Sequence, residues 1–346
     1  MKALRRVSAV LIGFVFFLAG ILKLMDPVGA GLVVDEYFKF FHLRFLSFSS
    51  GFVAEVAALA ETITGAALIT GVWRSITGMV AGLFLGFFTL LTLILVIFNP
   101  AMDCGCFGEA IHLTHFQSLI KNLILCALWV LAFIPSKAHE MPRKTKYVSF
   151  GIAALSVLAF AAVSLRSVPA MDFTPYAPGE EIHNSAAPEQ GGSPMLTFSN
   201  AEGEYCDTLA ASGQVALLSV YKPSGMDGKA WSRLAGTMAD AEAAGFKPLL
   251  LVAATPSSFE APSSDLTPYF ADRRELLTLN RSNGGLTLLS DAQIVAKWSS
   301  SGKPDFNALS ITDAADATEL MIQRESSQRM KVQGFLLYVF TVMLLL

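Results

Sequence analysis

The sequence predicts an α-helical membrane bundle, followed by an exported α/β domain and a short C-terminal hydrophobic helix. Of the 346 residues, 53% are hydrophobic and only 15% are charged, so a large part of the chain belongs in a bilayer. Long apolar runs dominate the first half of the chain. Residues 170–331 instead carry 20 Asp and Glu against 12 Lys and Arg, which indicates an acidic soluble domain and argues against nucleic acid as a partner.

Five apolar runs each approach the roughly 20 residues that a bilayer core requires. The first has an apolar core too long for a signal peptide and no small-residue cleavage site, so we expect a retained helix. A further run at residues 332–346 is short, and a tilted tail, a thin span and an interfacial helix remain open for it. The predicted spans are residues 7–25, 51–71, 75–98, 115–134 and 147–168.

Basic residues give these spans an orientation. Lys2, Arg5 and Arg6 precede the first span, and further cations lie between the fourth and fifth spans and at Arg74. All of them fall at the same end of the bundle, which the positive-inside rule assigns to the cytoplasm. We therefore expect residues 170–331, and the loop after the third span, on the opposite side of the bilayer.

The most informative motif is Asp-Cys-Gly-Cys-Phe-Gly, in the loop after the third predicted span. A disulfide between Cys104 and Cys106 would close a very small ring, and Gly105 permits the sharp turn that such a ring needs. A strained bridge is easily reduced, so this pattern indicates a catalytic redox pair on the oxidising side of the membrane. The alternative is a metal site shared with His112 and His115, which the one-residue spacing of the cysteines disfavours.

Three ionisable residues lie in the first two spans. Lys23 is near the outer end of the first span and Glu55 is about one turn into the second, which predicts a structural ion pair. Glu61 is roughly 15 Å along the helix from that end. A carboxylate at such depth usually faces the bundle interior and has a function, which makes Glu61 a candidate catalytic residue. The alternative is a protonated carboxyl that only hydrogen-bonds a neighbouring helix.

The other two cysteines carry weaker signals. Cys126 falls in the middle of the fourth span, where we expect an inert apolar side chain. Cys206 precedes the first strand of the exported domain. It is either a lone thiol or a partner thiol that resolves a mixed disulfide with Cys104 or Cys106.

Residues 1–168 resemble a known family. Four helices, the motif Gly-x-x-Lys-Leu-x-Asp-Pro at the end of the first, a glutamate in the second and Cys-Gly-Cys-Phe-Gly after the third are similar to the DoxX/MauE group of bacterial membrane proteins. The five spans with a large exported tail resemble the Bacteroidetes type. The resemblance implies thiol redox maturation or a quinol-linked system, a quinone as the candidate cofactor, and a bacterial inner membrane with residues 170–331 periplasmic.

The exported domain is similar to the thioredoxin fold. After a Pro- and Gly-rich stretch at residues 170–194, which predicts a linker, the pattern alternates between strands and helices. That fold needs Cys-x-x-Cys between its first strand and helix, yet residues 222–228 contain no cysteine, and Ser-Asn-Gly-Gly stands where a cis-proline loop would fall. We expect strands at 215–221 and 246–253, a helix at 229–244, a short helix within 268–279 and a hairpin over 286–298.

These predictions define five segments of the chain and three competing functions. The segments are a membrane domain at 1–138, a cytoplasmic loop and fifth span at 139–169, the linker at 170–194, the thioredoxin-like domain at 195–320 and a hydrophobic tail at 321–346. We favour a thiol–disulfide or quinol-linked redox protein. A non-enzymatic scaffold, whose exported domain binds an envelope redox or structural protein, and a transporter that uses the buried carboxylate are the alternatives.

Overall fold

The structure is a computed structural model that describes residues 2–134, 143–169, 171–183, 194–263, 266–302, 304–306, 309 and 314–345. The chain divides into two compact units. Unit 1 comprises Met1–Leu165 and Val332–Leu346, and unit 2 comprises Arg166–Lys331. Most of the predicted cytoplasmic loop and the second half of the predicted linker lie outside the described residues.

Unit 1 is a helical bundle, as the apolar runs predict. In the described part of the chain, five helical segments are long and apolar enough to cross a membrane. Together with unit 2, which is a mixed sheet-and-helix domain, they confirm the predicted fold class. The helices are α1 (Lys2–Met25), α2 (Pro27–Phe40), α3 (Ser50–Thr70), α4 (Arg74–Phe98), α5 (His115–Phe133) and α6 (Lys144–Ser164).

Helices α1 and α3 form the closest pair of the bundle. A Cβ atom added at Gly13 would lie 2.8 Å from the Gly65 carbonyl oxygen, and one added at Gly20 would lie 2.7 Å from that of Ala58. Small residues let membrane helices approach to backbone contact. The two contacts run in opposite directions along the helices, so α1 and α3 are antiparallel.

The loop predicted between the first two spans is largely helical. Asp26 caps α2 by accepting a hydrogen bond from the Gly29 amide at 2.9 Å, and Pro27 occupies the first turn, where its missing N–H costs nothing. A 3₁₀ turn at Arg44–Ser49 then leads into α3. The Asp-Pro of the family-like motif is therefore the start signal of α2.

The C-terminal apolar run is the end of a long helix, α9 (Ala314–Leu345). Its final part belongs to unit 1, where the Phe340 ring contacts Phe14 and Phe17 at 5.5 and 5.1 Å between centroids. The hydroxyl of Ser149 in α6 donates to the Val342 carbonyl oxygen. These contacts favour a helix inside the bundle over one lying at the interface.

Unit 2 contains a mixed six-stranded sheet, and a separate short strand, β1 (Cys106–Glu109), belongs to unit 1. The elements of unit 2 are β2 (Phe198–Ser199), β3 (Gln214–Val220), α7 (Gly228–Ala243), β4 (Lys247–Val252), β5 (Pro268–Ala271), α8 (Arg273–Leu279), β6 (Gly285–Ser290) and β7 (Gln293–Trp298). The strand order is β2-β5-β4-β3-β6-β7. β3, β4 and β5 are parallel, and β6 and β7 complete the sheet as an antiparallel hairpin. This arrangement matches the predicted thioredoxin-like domain.

The first half of the predicted linker packs onto this sheet instead of extending away from it. Tyr176 and Ile182 are buried in the core, and the Gly179 amide donates to the Ile294 carbonyl at 2.7 Å. Lys297 also forms an ion pair with Asp172 at 2.6 Å. The Pro and Gly content predicts an extended segment. Tyr176 and Ile182, two apolar residues within it, instead pack into the core of unit 2 and hold the segment against the sheet.

Candidate functional site

One cavity collects most of the predicted site residues of unit 1. It measures about 420 Å³ and lies between helices α1 to α5. Its wall is almost entirely apolar, and Phe87 and Leu90 at its edge are about 60% exposed on the bundle surface. The polar side chains of the wall are those of Cys104, Cys106, Lys23, Glu61, Tyr37, Thr92, Lys121 and Asn122.

The cysteine loop is held in place by backbone geometry. Gly105 adopts φ +60°, and a Cβ atom there would lie 2.3 Å from the Val33 side chain, so only glycine suits the position. The Tyr37 hydroxyl on α2 donates to the Cys104 carbonyl at 2.7 Å. The loop therefore turns its two cysteines toward the cavity from a fixed position.

The two thiols occupy different environments. Cys104 is buried, and its sulfur lies 2.8 Å from the Ser118 hydroxyl oxygen on α5. Both cysteines are thiols in this structure, and the Cys104 side chain hydrogen-bonds the sulfur of Cys106. The two cysteine side chains are thus neighbours in the same loop.

Their titration differs accordingly. The hydrogen bond from Cys104 lowers the pKa of Cys106 below the usual thiol value, against the opposing effect of burial, and the charges of Lys121 and Lys23 lower it further. The same hydrogen bond, together with burial, raises the pKa of Cys104. Cys106 is therefore the more acidic thiol of the pair, and reactivity of a thiol rises with its thiolate fraction.

The predicted ion pair between Lys23 and Glu55 is not formed. Lys23 instead contacts Glu61, with 2.7 Å between Nζ and Oε2. Helical side chains lean toward the N-terminus of their own helix. In the antiparallel α1–α3 pair, Lys23 therefore leans into the bundle, Glu61 leans toward it, and Glu55 leans away. The sequence position of Lys23, near the outer end of its span, favours Glu55 as its partner, whereas the direction of its side chain brings it to Glu61.

Glu55 has no partner among the described residues. Both of its carboxyl oxygens are buried and accept no hydrogen bond there. A buried acceptor without a donor is costly, so Glu55 does not contribute to stability in the way an ion pair would. It also does not line the cavity.

The two histidines of the loop are turned to other partners. His112 contacts the exposed Asp103 carboxylate at 3.0 Å, and His115 contacts the Pro100 carbonyl oxygen at 3.1 Å. Within the described residues, no group of three or more His, Cys, Asp and Glu side chains is placed to hold a metal ion.

The remaining cysteines lie apart from this loop along the chain. Cys126 lies one to two turns beyond Lys121 on α5, and its sulfur is 3.5 Å from the Thr89 hydroxyl. Cys206 belongs to unit 2, where its thiol donates to the Glu204 carbonyl at 3.4 Å. The proposed role of Cys206 as a partner thiol stays a prediction.

Sequence reasoning missed Lys121, Ser118 and Tyr37. Lys121 and Ser118 stand one turn apart on the first turns of α5, which begins at a capping box between Thr114 and Gln117. A lone lysine inside an apolar span was the available signal, because such residues are rarely placed without a function.

In unit 2, Asn283 forms hydrogen bonds with Lys222, at the start of the loop that carries the cysteines in a thioredoxin. The Asn283 side chain accepts from the Lys222 amide and donates to the Lys222 carbonyl, both at 2.9 Å. Asn283 comes from the stretch where a cis-proline was expected and not found. This region of unit 2 therefore has a pair of amide hydrogen bonds where a thioredoxin has its thiols.

Comparison with known proteins identifies the membrane part. Residues 1–135 match the family described as methylamine utilisation protein MauE. This match confirms the MauE-like character predicted for the bundle and supports a bacterial membrane protein. Because the matched segment is less than half of the chain, it leaves unit 2 unassigned.

A curated relative extends the comparison. The chain is 25% identical over 171 residues to Protein TlpB of Flavobacterium psychrophilum, which covers 48% of this chain and 46% of the relative. The match thus spans about half the length of either protein. No solved structure matches the chain.

Proposed function

We propose that this protein carries out thiol–disulfide redox chemistry at the periplasmic face of the bacterial inner membrane. Cys104 and Cys106 are the exchanging pair, and a membrane quinone accepts their electrons. The observation that carries the proposal is the placement of Cys104 and Cys106, with Lys121 and Lys23 beside them, in the wall of a mostly apolar cavity whose edge reaches the bundle surface. The orientation rests on the positive-inside rule.

The protein residues supply the thiolate and its surroundings. Lys121 hydrogen-bonds the sulfur of Cys106, and Lys23 adds a second positive charge. Cys104 holds the proton that the pair must lose. Oxidation of a thiolate and a thiol forms one S–S bond and releases two electrons and one proton, so a two-electron acceptor is required.

The cavity suits an apolar acceptor. Its volume of about 420 Å³ falls in the usual range for small-molecule sites, roughly 300–1,000 Å³. Lys23, Lys121 and Asn122 are donors in a mostly apolar wall, which suits a ring with carbonyl oxygens. A bound quinone would accept two electrons and two protons, of which the thiol pair supplies one proton and water the other.

The proposal is tested by the redox state of the thiols. The full chain, reduced and freed of reductant in detergent, is mixed with a short-tailed quinone analogue, and its free thiols are then mass-tagged. We expect the wild type to lose tags at Cys104 and Cys106 while Cys126 and Cys206 stay tagged. The Cys206→Ser control should behave as the wild type, and Cys106→Ser should lose no tag. Unchanged tagging of the wild type would contradict the proposal.

A second role for unit 2 is supported by the hydrogen bonds of Asn283, which lie where a thioredoxin would carry its cysteines. A thioredoxin-like domain without the Cys-x-x-Cys pair suits peptide binding, so we propose that it binds an envelope partner. Cys104→Ser in cells should then trap a mixed disulfide through Cys106, either with Cys206 or with that partner. Cys126→Ser, a cysteine change away from the pair, is the matched control and should trap nothing.

A further inference from the structure

A second cavity lies at the opposite end of unit 1 from the cysteines. It measures about 420 Å³ and is formed by the first turns of α1, the α3–α4 connection, the end of α5 and the start of α6. It shares no lining residue with the cysteine cavity. Four of its lining residues are cationic, and none is acidic: Arg6, Arg74, Arg143 and Lys146.

Three of these cations donate hydrogen bonds to backbone carbonyls, and Lys146 donates to that of Leu344 at 3.3 Å. The Arg6 guanidinium donates to the carbonyl oxygens of Leu68 and Ile69, at the end of α3. Arg74 donates to the Ala132 carbonyl at 2.9 Å. A guanidinium has five N–H donors, so these bonds leave several unused. The cations are therefore preorganised but keep donors for a ligand.

No carboxylate of the described residues neutralises this cluster. All described acidic residues of unit 1 lie from the middle of the bundle toward the cysteine end. Arg6 and Arg74 are close enough for their charges to repel. Like charges gathered in a partly buried cavity favour an anion between them. The acidic residues concerned are Asp26, Asp35, Glu36, Glu55, Glu61, Asp103 and Glu109.

Helix ends of both polarities lie at this cavity. The C-terminal carbonyls of α3 and α5 accept hydrogen bonds from Arg6 and Arg74, and the N-termini of α4 and α6 are the positive ends. α4 begins after Trp73 and α6 begins after Arg143, and neither position provides a side-chain cap. The first N–H groups of both helices thus lack side-chain acceptors, and helix N-termini carry partial positive charge. They add to the field of the four cations.

We infer that this cavity binds a phosphate group, such as the headgroup of an anionic phospholipid of the inner leaflet. Phe133 and Val72 in the same wall offer apolar contact to the first part of an acyl chain. Basic pockets between membrane helices on the cytoplasmic side bind anionic headgroups in this way. The site is independent of the thiol chemistry proposed above.

The test compares lipids and matched variants of the full chain. Purified protein in detergent is titrated with phosphatidylglycerol, phosphatidylcholine or inorganic phosphate, and the melting temperature is recorded. The double variant Arg74→Gln/Arg143→Gln removes two cavity cations, and Lys146→Gln serves if that variant does not fold. Arg5→Gln/Lys144→Gln removes two neighbouring cations that do not line the cavity.

We expect phosphatidylglycerol to stabilise the wild type and phosphatidylcholine to do little. The cavity variant should bind more weakly by about fivefold per cation removed, and the control variant should bind as the wild type does. Equal protection by inorganic phosphate, lost in the cavity variant, would support the site and assign it to the free ion. No preference for phosphatidylglycerol or phosphate over phosphatidylcholine, or an equal loss in the control variant, would overturn the inference.

Discussion

Replacing Lys121 by glutamine should make the Cys106 thiol less acidic. Lys121 acts on the Cys106 sulfur both through its charge and through a hydrogen bond. Hydrogen bonds to charged groups contribute about 1.5–3 kcal/mol. Since one pH unit corresponds to about 1.4 kcal/mol, loss of both the charge and the hydrogen bond in Lys121→Met should raise the pKa of Cys106 by up to about one to two pH units, and Lys121→Gln should raise it less.

The Lys121 variants should lose reactivity at low pH, because the wild-type thiolate persists to lower pH than theirs. Below the wild-type pKa of Cys106, the variant with the full shift should react with an alkylating reagent about 10- to 100-fold more slowly than the wild type. The rate is measured at the Cys106 peptide by mass spectrometry from pH 4 to 9. Glutamine keeps a hydrogen-bond donor, so the full shift should appear with methionine.

The control for this experiment is Lys39→Gln. Lys39 lies on α2 and is paired with Asp35 at 2.6 Å, so its removal changes the net charge equally without touching the sulfur. The midpoint of its alkylation profile should match that of the wild type. An unchanged midpoint in the Lys121 variants, or an equal shift in the Lys39 variant, would refute the assignment of Cys106 as a lysine-stabilised thiolate.

Three further predictions concern the surroundings of the pair. Glu61→Gln should lower the free energy of unfolding by up to about 3–5 kcal/mol, because it leaves Lys23 without a charged partner in the bundle. In melting curves, the double variant Lys23→Met/Glu61→Leu should regain most of this stability. Glu55→Leu should leave the melting temperature unchanged or raise it, since it removes buried oxygens without donors; a marked loss would reveal a partner for Glu55. Gly105→Ala should cost at least about 1–2 kcal/mol for the left-handed conformation and slow alkylation of the loop thiols, with partial rescue by Val33→Ala; alkylation at the wild-type rate would show that the turn does not position them.

The membrane spans of unit 1 and the strand pattern of unit 2 could be predicted from the sequence, because each depends on a local pattern of apolar residues. The hairpin turn at Asp291 and Ala292, both at positive φ, followed directly from the short polar break between two apolar runs. The length of each apolar run likewise fixed the membrane helices. These features need no knowledge of what packs against them.

The pairing of side chains across helices was not readable in the same way. Choosing between Glu55 and Glu61 as the partner of Lys23 requires the register of α1 against α3, which Gly13 and Gly20 set through backbone contact. The approach of Lys121 to Cys106 depends on how α5 rotates after its capping box. Both contacts depend on how the helices pack in three dimensions. The sequence indicates them only through isolated charged residues within apolar runs.

If Cys104 and Cys106 pass an electron pair to a membrane-soluble quinone, the reduced protein should form quinol. This is measured as the change in quinone absorbance when the reduced full chain in lipid nanodiscs is mixed with an excess of short-tailed quinone. We expect a stoichiometric amount of quinol from the wild type and from Cys126→Ser, and none above background from Cys104→Ser. No quinol from the wild type, or the same amount from Cys104→Ser, would contradict this electron transfer.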